Sequence, residues 1–583
     1  MSYMPPYAID IDDSDQVIKQ YKLGKGGTIT AGSTVELKDT SKQEKEFPHS
    51  GDFLRVQHII KNVETNQVRL RGQRMRRTKY LKQLFDWKLN ELAMVLHVRA
   101  NDQRCPMIAG MEDVHIDQVL HLRDCILTSN PYPICSLKDS DPYAFPASLT
   151  KKEIKYQIFC RGRLVCRSMY ILIFKDKKAK ACSGIVRHIY DKEADVPASR
   201  TQKDEHVKIG TLTTPTKHKQ YTFADCFCGC GGASQGAVQA GLHVIWGLDF
   251  DEDALDAYQK NHTGALPFHC NAHNFPPQGY NIKDLRVDIV HLSPPCCYFS
   301  PAHTHDGLND QANLEAIYTV GPILKKLEPR VVTLEQTFGL YTHDQHKANF
   351  HMLLYDMGVA GYDVRYTIQN IAEFGLVQPR KRLLMIGAKR GTPLPPFPKP
   401  THGPVKSGLK PWTFISDALI PMSRDTYHDD AYHQPSPAKT PQSPYSPHTF
   451  LKGCITAKGA SIHHYSGTRK YTPRELALFQ SFPHTYQFSG TKTAATKQIG
   501  NAFPPIMAEA MYRTIIKTLA AFDAGLIGPE HHHFDNPCAE QQHEVIDLSS
   551  DDEVIDLSSD DEVIDLSSDD EDAYEYNSDT IMA

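Results

Sequence analysis

The sequence predicts an α/β protein built on a doubly wound, mostly parallel sheet, with a β-rich domain before the sheet and an acidic tail after it. After residue 221, strands alternate with helices, and a glycine turn separates the first strand from the first helix. Before residue 196, short segments alternate apolar and polar residues, as half-buried antiparallel strands do. A chain of 583 residues is long enough for roughly two to four domains.

The net charge of −5 hides two oppositely charged parts of the chain. Residues 541–583 contain 16 Asp and Glu and no Lys or Arg, which leaves 64 basic against 53 acidic residues, or +11, in residues 1–540. The basic body favours a polyanionic partner, although net charge alone is a weak guide. The sequence shows no signal-peptide pattern and no long apolar window, so we expect neither secretion nor a membrane span, and we expect reduced cysteines.

The first half of the chain contains one predicted domain between two polar segments. Residues 1–27 are predicted to be disordered, and residues 196–220 to form a linker. Residues 28–195 are predicted to form the β-rich domain, because β-type segments recur at residues 33–37, 53–60, 67–71, 92–98 and 168–174. Residues 69–77 hold five arginines. They are interpreted as a contact to DNA phosphates, a nuclear import signal or a solvated basic strand.

A glycine turn follows the first strand of the α/β part and opens a helix. Residues 225–232 read D-C-F-C-G-C-G-G, and the absence of Cβ atoms lets a backbone approach a bound ligand. Asp249 ends the next strand, twenty residues after Gly229, where a carboxylate can accept bonds from ribose hydroxyls. The two features predict a site for a nucleoside cofactor, with a purely structural turn as the alternative. The cysteines of the turn lack C-x-x-C spacing, so no metal is expected.

Reactive side chains follow later strands, at the strand ends where open α/β sheets place their binding sites. Cys296 follows a strand within S-P-P-C-C-Y-F-S, and Glu335 ends another strand. Arg380 and Arg382 alternate in Q-P-R-K-R, which puts both on one side of an extended segment. A buried cysteine by itself is more often inert packing than a nucleophile.

Six motifs, in this order, resemble those of the cytosine-C5 DNA methyltransferases. They are D-x-F-x-G-x-G-G at 225–232, P-P-C-x-x-F-S at 294–300, the Glu335 motif, Q-x-R-x-R at 378–382, R-E-L-A-x-x-Q-x-F-P at 474–483 and Q-I-G-N-A-x-P-P at 498–505. The L-E-Q-T version of the Glu335 motif looks most like the fungal RID-type branch, whose members are associated with repeat-induced silencing and sexual development. The β-rich domain resembles bromo-adjacent homology (BAH) domains of chromatin proteins.

The resemblance implies a class I fold that uses S-adenosylmethionine, and it divides the rest of the chain. Residues 221–390 correspond to the catalytic domain, residues 391–470 to the target recognition region and residues 471–525 to the C-terminal part of the catalytic domain. The implied cofactor-binding residues are Phe227, Gly229, Gly231, Gly232, Asp249, Phe250, Asn271 and Asn501. Among them the two phenylalanines stack against the adenine, and Asn501 braces the glycine turn.

The resemblance also implies the reaction, methylation of C5 in a cytosine that is flipped out of the DNA duplex. Cys296 attacks C6 while Glu335 hydrogen-bonds N3 and the exocyclic amine. C5 then attacks the methyl group of the cofactor, and loss of the C5 proton and of Cys296 restores the aromatic ring. Arg382, with Arg380 as a second candidate, contacts the base O2 or a phosphate and helps to lower the thiol pKa.

Four positions depart from the family pattern. Cys297 replaces Gln, Gln336-Thr337 replaces Asn-Val, Asn271 replaces an acidic residue and Val377 replaces Pro. These changes are consistent with slow or substrate-restricted turnover. We expect an active DNA methyltransferase in the nucleus, with a weakly active or inactive DNA-binding silencing factor as the alternative. An RNA methyltransferase is disfavoured, because the Cys-Phe-Thr signature of the tRNA-directed branch is absent.

The tail, residues 526–583, is predicted to be disordered and to bind a partner. The unit E-V-I-D-L-S-S-D-D occurs three times, starting at Glu544, Glu553 and Glu562. Each unit resembles a SUMO-interacting motif, whose apolar core can add as a strand to the edge of a sheet. Three copies raise the avidity for a SUMO chain. Solubilising charge alone is the alternative. The expected partners are therefore DNA, chromatin proteins through the BAH-like domain, and SUMO through the tail.

Overall fold

The computed structural model describes residues 12–24, 26–39, 49–102, 104–131, 149–175, 183–197, 220–300, 307, 310–424 and 429–531. The N-terminal strands are β1 (Asp15–Ile18), β2 (Gln20–Lys22), β3 (Thr28–Thr30), β4 (Thr34–Lys38), β5 (His49–Asn62), β6 (Val68–Arg77), β7 (Glu91–Arg99), β8 (Met111–His115), β9 (Val119–Arg123), β10 (Cys125–Leu127), β11 (Leu164–Phe174) and β12 (Ser183–His188). The later strands are β13 (Thr222–Cys226), β14 (His243–Asp249), β15 (Leu266–His269), β16 (Ile289–Leu292), β17 (Val331–Thr337), β18 (Tyr362–Asn370), β19 (Lys381–Lys389), β20 (His402–Gly403) and β21 (Lys410–Pro411).

The helices are α1 (Pro106–Ala109), α2 (Lys151–Arg161), α3 (Gly232–Gln239), α4 (Glu252–Asn261), α5 (Asp310–Ile317), α6 (Val320–Leu327), α7 (Gly339–Thr342), α8 (Lys347–Val359), α9 (Ile415–Ala418), α10 (Ile420–Arg424), α11 (Pro473–Phe479), α12 (Lys492–Asn501) and α13 (Pro505–Asp523). Within the ranges given above, no helix has the length and apolar character that crossing a membrane requires.

The catalytic part is a sheet with a parallel centre. Parallel pairing gives the order β15, β14, β13, β16, β17. β19 then lies antiparallel between β17 and β18. The predicted mostly parallel sheet is therefore confirmed. Because parallel strands end at the same edge, the segments that follow β13, β14, β16 and β17 meet there.

Helices cover both faces of this sheet, because successive side chains of a strand point to opposite faces. On one face, Ala224, Trp246 and Val290 belong to a core that includes α6 and α8. On the other face, Phe223 and Val244 belong to a core that includes α3, α4 and α13. The two cores confirm the doubly wound arrangement.

The residues before 197 form a largely antiparallel β structure. β5 pairs with β1, β4 and β6, and β6 pairs with β7 and β8. The expectation of disorder throughout residues 1–27 is wrong for residues 15–22, which form β1 and β2. The polar composition of this segment was misleading, because Asp15 is buried and pairs with Arg69, which attaches β1 to the sheet. Helix α2 was not predicted; Thr150 and Glu153 form a capping box at its start.

The N-terminal strands continue directly into the catalytic sheet. β11 pairs with β7 and β12, and β12 pairs antiparallel with β18. The Tyr170 hydroxyl lies 3.0 Å from the Tyr366 hydroxyl in the core beneath this junction. The backbone N–H of His188 donates to Asp363 Oδ1 at 2.9 Å. The two regions thus share one sheet, and most of the predicted linker lies outside the described residues.

The proline-rich segment 391–471 contains little regular structure in its described part, as its composition predicts. Its elements are the short β20, β21, α9 and α10. The segment is nevertheless anchored, because Ile415, Leu451 and Ile455 share a core with α11 and α12. The tail from residue 532 onward lies outside the described residues.

Candidate active site

The glycines of the turn after β13 are required for different reasons. Gly229 has φ +53°, and a Cβ there would meet no atom within 4 Å, so its backbone faces open space. A Cβ at Gly231 would lie 2.7 Å from His262 Nε2, and a Cβ at Gly232 would lie 2.3 Å from the carbonyl oxygen of Phe503. Gly229 therefore leaves room for a ligand, whereas packing within the protein requires the other two glycines.

Asp249 stabilises the glycine turn from the neighbouring strand. Its Oδ2 accepts a hydrogen bond from the Gly229 N–H at 2.8 Å, and its Oδ1 accepts one from the Asp251 N–H at 2.9 Å. Burial raises the pKa of this carboxyl group. Each carboxylate oxygen retains a second lone pair, so the same group can hold the turn and accept a ribose hydroxyl.

Two phenylalanines lie near the glycine turn in sequence, Phe227 within the turn and Phe250 directly after Asp249. Phe250 is 63% exposed. Phe227 adopts φ +61°, an uncommon conformation for a bulky residue, and its carbonyl oxygen accepts a bond from Ser293 Oγ at 3.2 Å. The open backbone at Gly229, the Asp249 carboxylate and the exposed Phe250 ring fit a nucleoside cofactor.

The two asparagines predicted to serve the cofactor are both exposed. Asn271 Oδ1 accepts a bond from the His273 N–H at 3.0 Å and so caps a short helical turn. Asn501 ends α12. The main chain of this motif contacts the glycine turn instead: the Gln498 carbonyl oxygen lies 3.7 Å from Cys230 Sγ, and the Phe503 carbonyl oxygen packs against Gly232. Gln498 and Phe503 both belong to the motif at 498–505, but only the packing shows these contacts.

Cys296 lies at the carboxyl end of β16, just before a short helical turn. It is partly buried, whereas Cys297 is exposed. Burial raises the pKa of the Cys296 thiol to about 12; Glu335 adds to the rise and Arg382 opposes it. The expected lowering of the thiol pKa by the arginines is therefore outweighed in this structure.

Glu335 and Arg382 form an ion pair beside this cysteine. Glu335 is 5% exposed, and its Oε1 lies 2.7 Å from Arg382 Nε. The pair depends on tertiary structure, because β17 and β19 run antiparallel and place Thr337 opposite Arg382. A thiol, a carboxyl group and a guanidinium group are thus brought together at one edge of the sheet.

Arg380, predicted as a contact to the base or a phosphate, is buried in the protein interior. It is 2% exposed, and it donates to the carbonyl oxygens of Ile455 at 2.9 Å, Gly500 at 3.1 Å and Ala502 at 3.4 Å. Burial, followed by the charge of Arg382, lowers its pKa to about 10. Arg380 therefore connects the proline-rich segment to α12.

Two buried glutamines reinforce this connection, although neither was predicted to be a site residue. Gln378 Nε2 donates to Gln480 Oε1 at 2.8 Å, and Gln378 Oε1 accepts from the Ile455 N–H at 2.7 Å. Gln480 Nε2 donates to the Ile499 carbonyl oxygen at 2.9 Å. Gln378 lies in the motif at 378–382 and Gln480 in the motif at 474–483, so their place in these motifs was the sequence signal for a role.

The arginines of β6 are largely neutralised by acidic neighbours. Their ion pairs are Arg69 with Asp15 and Asp113, Arg71 with Asp113, Arg74 with Asp52 and Glu112, and Arg76 with Asp52. Arg77 is buried and donates to the Phe159 carbonyl oxygen at 2.8 Å. This pairing argues against a phosphate contact by the strand. In the proline-rich segment, Arg469 likewise pairs with Glu475 at 2.5 Å.

The sheet order and the cofactor site define an α/β fold of S-adenosylmethionine-dependent methyltransferases. Residues 221–432 and 406–517 match the family model of the C-5 cytosine-specific DNA methylases, which together is about half of the chain. The chain therefore belongs to the C-5 cytosine-specific DNA methylase family. It is a DNA (cytosine-5-)-methyltransferase, and its methyl donor is S-adenosylmethionine.

Bacterial proteins are among the relatives. The type II methyltransferase M1.HphI of Haemophilus parahaemolyticus is 26% identical over 338 residues, which cover 51% of this chain and 87% of that protein. M.NgoFVII of Neisseria gonorrhoeae is 28% identical over 312 residues, which cover 48% and 82%. Among solved structures, the Dnmt2 methyltransferase of S. pombe is 15% identical with a TM-score of 0.38, over 52% of this chain and 99% of that one.

Proposed function

We propose that the chain methylates cytosine C5 in nuclear DNA through Cys296, Glu335 and Arg382, and that it acts in genome silencing or sexual development as a fungal RID-type member of its family. One observation carries the catalytic part of the proposal. The thiol and the carboxyl–guanidinium pair lie together at the carboxyl ends of β16 and β17, next to the cofactor turn after β13.

Each of the three side chains has a distinct task on the flipped base. The Cys296 thiolate adds to C6, and the displaced electron pair develops at C5. Glu335 accepts a bond from the exocyclic amine and, after taking up a proton from solvent, donates that proton to N3, while Arg382 holds the same carboxyl group and faces O2. When bound, S-adenosylmethionine supplies an electrophilic methyl group. After the methyl transfer the C5 proton passes to solvent, its electron pair re-forms the double bond between C5 and C6, and the bond between C6 and sulfur breaks, which returns the thiolate.

Glu335 also links base binding to activation of the thiol. A thiol with a pKa near 12 is protonated at neutral pH, and the Glu335 charge contributes to that pKa. When a proton taken up from solvent lies between Glu335 and N3, the negative charge beside the sulfur is reduced, and the thiolate becomes easier to form. Base binding therefore favours the thiolate by removing the contribution of Glu335 to the raised thiol pKa, although burial is the larger cause.

The remaining predicted residues hold the cofactor or its turn. Gly229 gives the open backbone and Asp249 the acceptor for ribose, and Phe227 and Phe250 stack on the adenine. Asn271 presents an exposed amide near the adenine. Gly231, Gly232 and Asn501 act through the shape of the turn and of the end of α12.

Methyl transfer tests the proposal directly. The full chain is incubated with labelled S-adenosylmethionine and with unmethylated DNA, hemimethylated DNA or RNA of the same sequence. We expect label in DNA and a covalent adduct with DNA that contains 5-fluorocytosine, since fluorine cannot leave C5 as a cation. Label in RNA alone, or no label with any substrate, contradicts the proposal.

The departures from the family pattern favour one alternative, a silencing factor with little activity. The side-chain oxygen of Asn271 accepts a hydrogen bond within its own turn. Cys297 has no side-chain amide, unlike the usual Gln next to the nucleophile. Under this alternative the chain binds DNA and S-adenosylmethionine with ordinary affinity but forms no adduct. Calorimetric titration of both ligands alongside the trapping assay separates the two functions.

The BAH-like region, residues 28–195, is proposed to bind a chromatin protein. Deleting it is an ambiguous test, because β12 pairs with β18 and its loss exposes the edge of the catalytic sheet. A surface change is cleaner: Trp87 is 63% exposed, and Tyr156 on α2 is 52% exposed. Trp87→Ala should weaken nucleosome binding without changing the KM for S-adenosylmethionine, whereas Tyr156→Ala is the matched control. Equal binding by both variants argues against a docking surface at Trp87.

The tail is proposed to bind SUMO through its three repeats, which lie outside the described residues. The support is the apolar V-I-D-L core beside acidic residues in each unit. Titration of the isotope-labelled tail peptide with SUMO by NMR tests this proposal. Binding that persists after the Val, Ile and Leu residues of all three units are changed to Ala leaves only a charge effect.

A further inference from the structure

β17 holds the main chain of the nucleophile turn through the two side chains that follow Glu335. Gln336 is completely buried, and its Nε2 donates to the Pro294 carbonyl oxygen at 2.6 Å. Thr337 Oγ1 donates to the Cys296 carbonyl oxygen at 3.4 Å. A carbonyl oxygen can only accept, so the Gln336 amide must present its nitrogen to the turn.

The two bonds hold the turn on both sides of Pro295. Pro294 and Cys296 flank Pro295, so the backbone that carries the thiol is held two residues before the nucleophile and at the nucleophile itself. Side chains alternate along a strand, so Glu335 and Thr337 leave one side of β17 and Gln336 leaves the other. The strand that presents the carboxyl group to the base therefore also holds the cysteine.

We propose that Gln336 and Thr337 are positioning residues that fix the Cys296 thiol relative to Glu335, an inference that rests on the proposed function. Sulfur must reach C6 while the carboxyl group reaches N3 of the same ring. A displacement of about 1 Å in such a geometry can cost about 100-fold in rate. The usual Val after the Glu-Asn pair has no donor, so Thr337 adds a bond that the common family sequence cannot form.

Thr337→Val and Thr337→Ser separate the hydroxyl from the shape of the side chain. Valine keeps the volume and removes the donor, whereas serine keeps the donor. We expect Thr337→Val to slow adduct formation on 5-fluorocytosine DNA about tenfold, with less than about a twofold change in the KM for S-adenosylmethionine. Thr337→Ser should recover most of the rate. Thr342→Val, at an exposed threonine of α7, is the matched control and should behave as wild type.

Equal adduct rates for Thr337→Val and wild type overturn the role of Thr337, and so does a Thr337→Ser variant as slow as the valine variant. Gln336→Asn shortens the side chain by one methylene group and withdraws its nitrogen from Pro294. We expect this variant to slow adduct formation more than Thr337→Val, because the Gln336 bond is shorter and fully buried. An unchanged rate in Gln336→Asn overturns the role of Gln336.

Amide hydrogen exchange tests the positioning even if the wild-type chain forms no adduct. That outcome contradicts the proposed function but leaves the two bonds open to measurement. Peptides that cover residues 293–300 should exchange faster in Gln336→Asn and Thr337→Val than in wild type, and at the wild-type rate in Thr342→Val. Unchanged exchange in the first two variants overturns the proposal.

Discussion

β6 and the β17–β19 pair both present arginines beside acidic residues, but the two regions place those pairs differently. On β6, Arg71 Nε lies 2.6 Å from Asp113 Oδ1, and both side chains remain partly exposed to water. Between β17 and β19, Arg382 Nε lies 2.7 Å from Glu335 Oε1, and the carboxyl group is almost completely buried. The pairs have nearly the same length and very different surroundings.

The difference shows that burial, rather than charge pattern, decides what an arginine does here. Exposed ion pairs are screened by water and contribute little to stability. A buried pair has lost most of its hydration, so removing one partner leaves an uncompensated charge. Arg71 thus lies in a neutralised pair at the outer surface of the N-terminal region, whereas Arg382 lies where a charge can affect a reaction.

The largest expected effect of any change is at the nucleophile. Cys296→Ala should reduce methyl transfer by at least about 10⁴-fold and abolish the 5-fluorocytosine adduct, because no other group supplies the bond to C6. Cys297→Ala, one residue away and exposed, is the control and should retain the adduct. An adduct that survives Cys296→Ala but not Cys297→Ala reverses the assignment.

The second effect is at the buried pair. Glu335→Gln should slow methyl transfer about 10²–10³-fold, because a neutral amide cannot transfer a proton to N3. The same change should lower the pKa of the Cys296 thiol, since Glu335 contributes to raising it. Alkylation of Cys296 at pH 8, measured in a Cys297→Ala background, should therefore become faster while catalysis becomes slower. Alkylation that also slows would contradict the electrostatic argument.

Arg380→Ala is expected to lower the free energy of unfolding, because Arg380 holds the fold together and does not face the reaction. The change leaves the carbonyl oxygens of Ile455, Gly500 and Ala502 without their buried donor. We expect a loss of roughly 3 kcal/mol in the free energy of unfolding, measured with denaturant. A variant with wild-type stability but weakened DNA binding would instead support the original prediction of a phosphate contact.

Gly184→Val tests whether the two regions unfold together. A Cβ at Gly184 would lie 2.5 Å from the Tyr366 hydroxyl and 2.7 Å from the Ile171 carbonyl oxygen, so the β12–β18 junction must open. Overpacking of this kind costs about 1–3 kcal/mol. A single cooperative transition with a lowered midpoint is expected for the variant; two separate transitions would show that the regions are independent.

The smallest effect is expected on β6. Arg71→Ala removes one exposed pair and should change the free energy of unfolding by less than about 1 kcal/mol. It should also leave DNA affinity and its salt dependence near those of wild type, because Asp113 already neutralises the arginine. A clear decrease in the salt dependence of binding would restore the phosphate-contact interpretation of this strand.

Elements with a local signal can be predicted from the amino-acid sequence. The strands at β13, β14, β16 and β17 are recognisable because each is a short apolar run that ends in a glycine or polar residue. The positions of Cys296 just beyond β16 and of Glu335 near the carboxyl end of β17, which continues two residues further than predicted, follow from the same pattern, and so does the open turn at Gly229. These features depend on neighbouring residues, so a short segment of the sequence is enough to predict each of them.

The roles of residues whose partners are distant in the chain depend on long-range packing. Arg380 differs from Arg382 because its acceptors lie 75 and 120 or more residues away, in segments that fold over it. β1 is held by its antiparallel pairing with β5 and by the ion pair of Asp15 with Arg69, far along the chain. The continuous sheet arises because β12 pairs with β18. The polar linker at residues 196–220 had instead predicted two separate domains. Burial and long-range pairing depend on how the whole chain packs, and no local pattern records them.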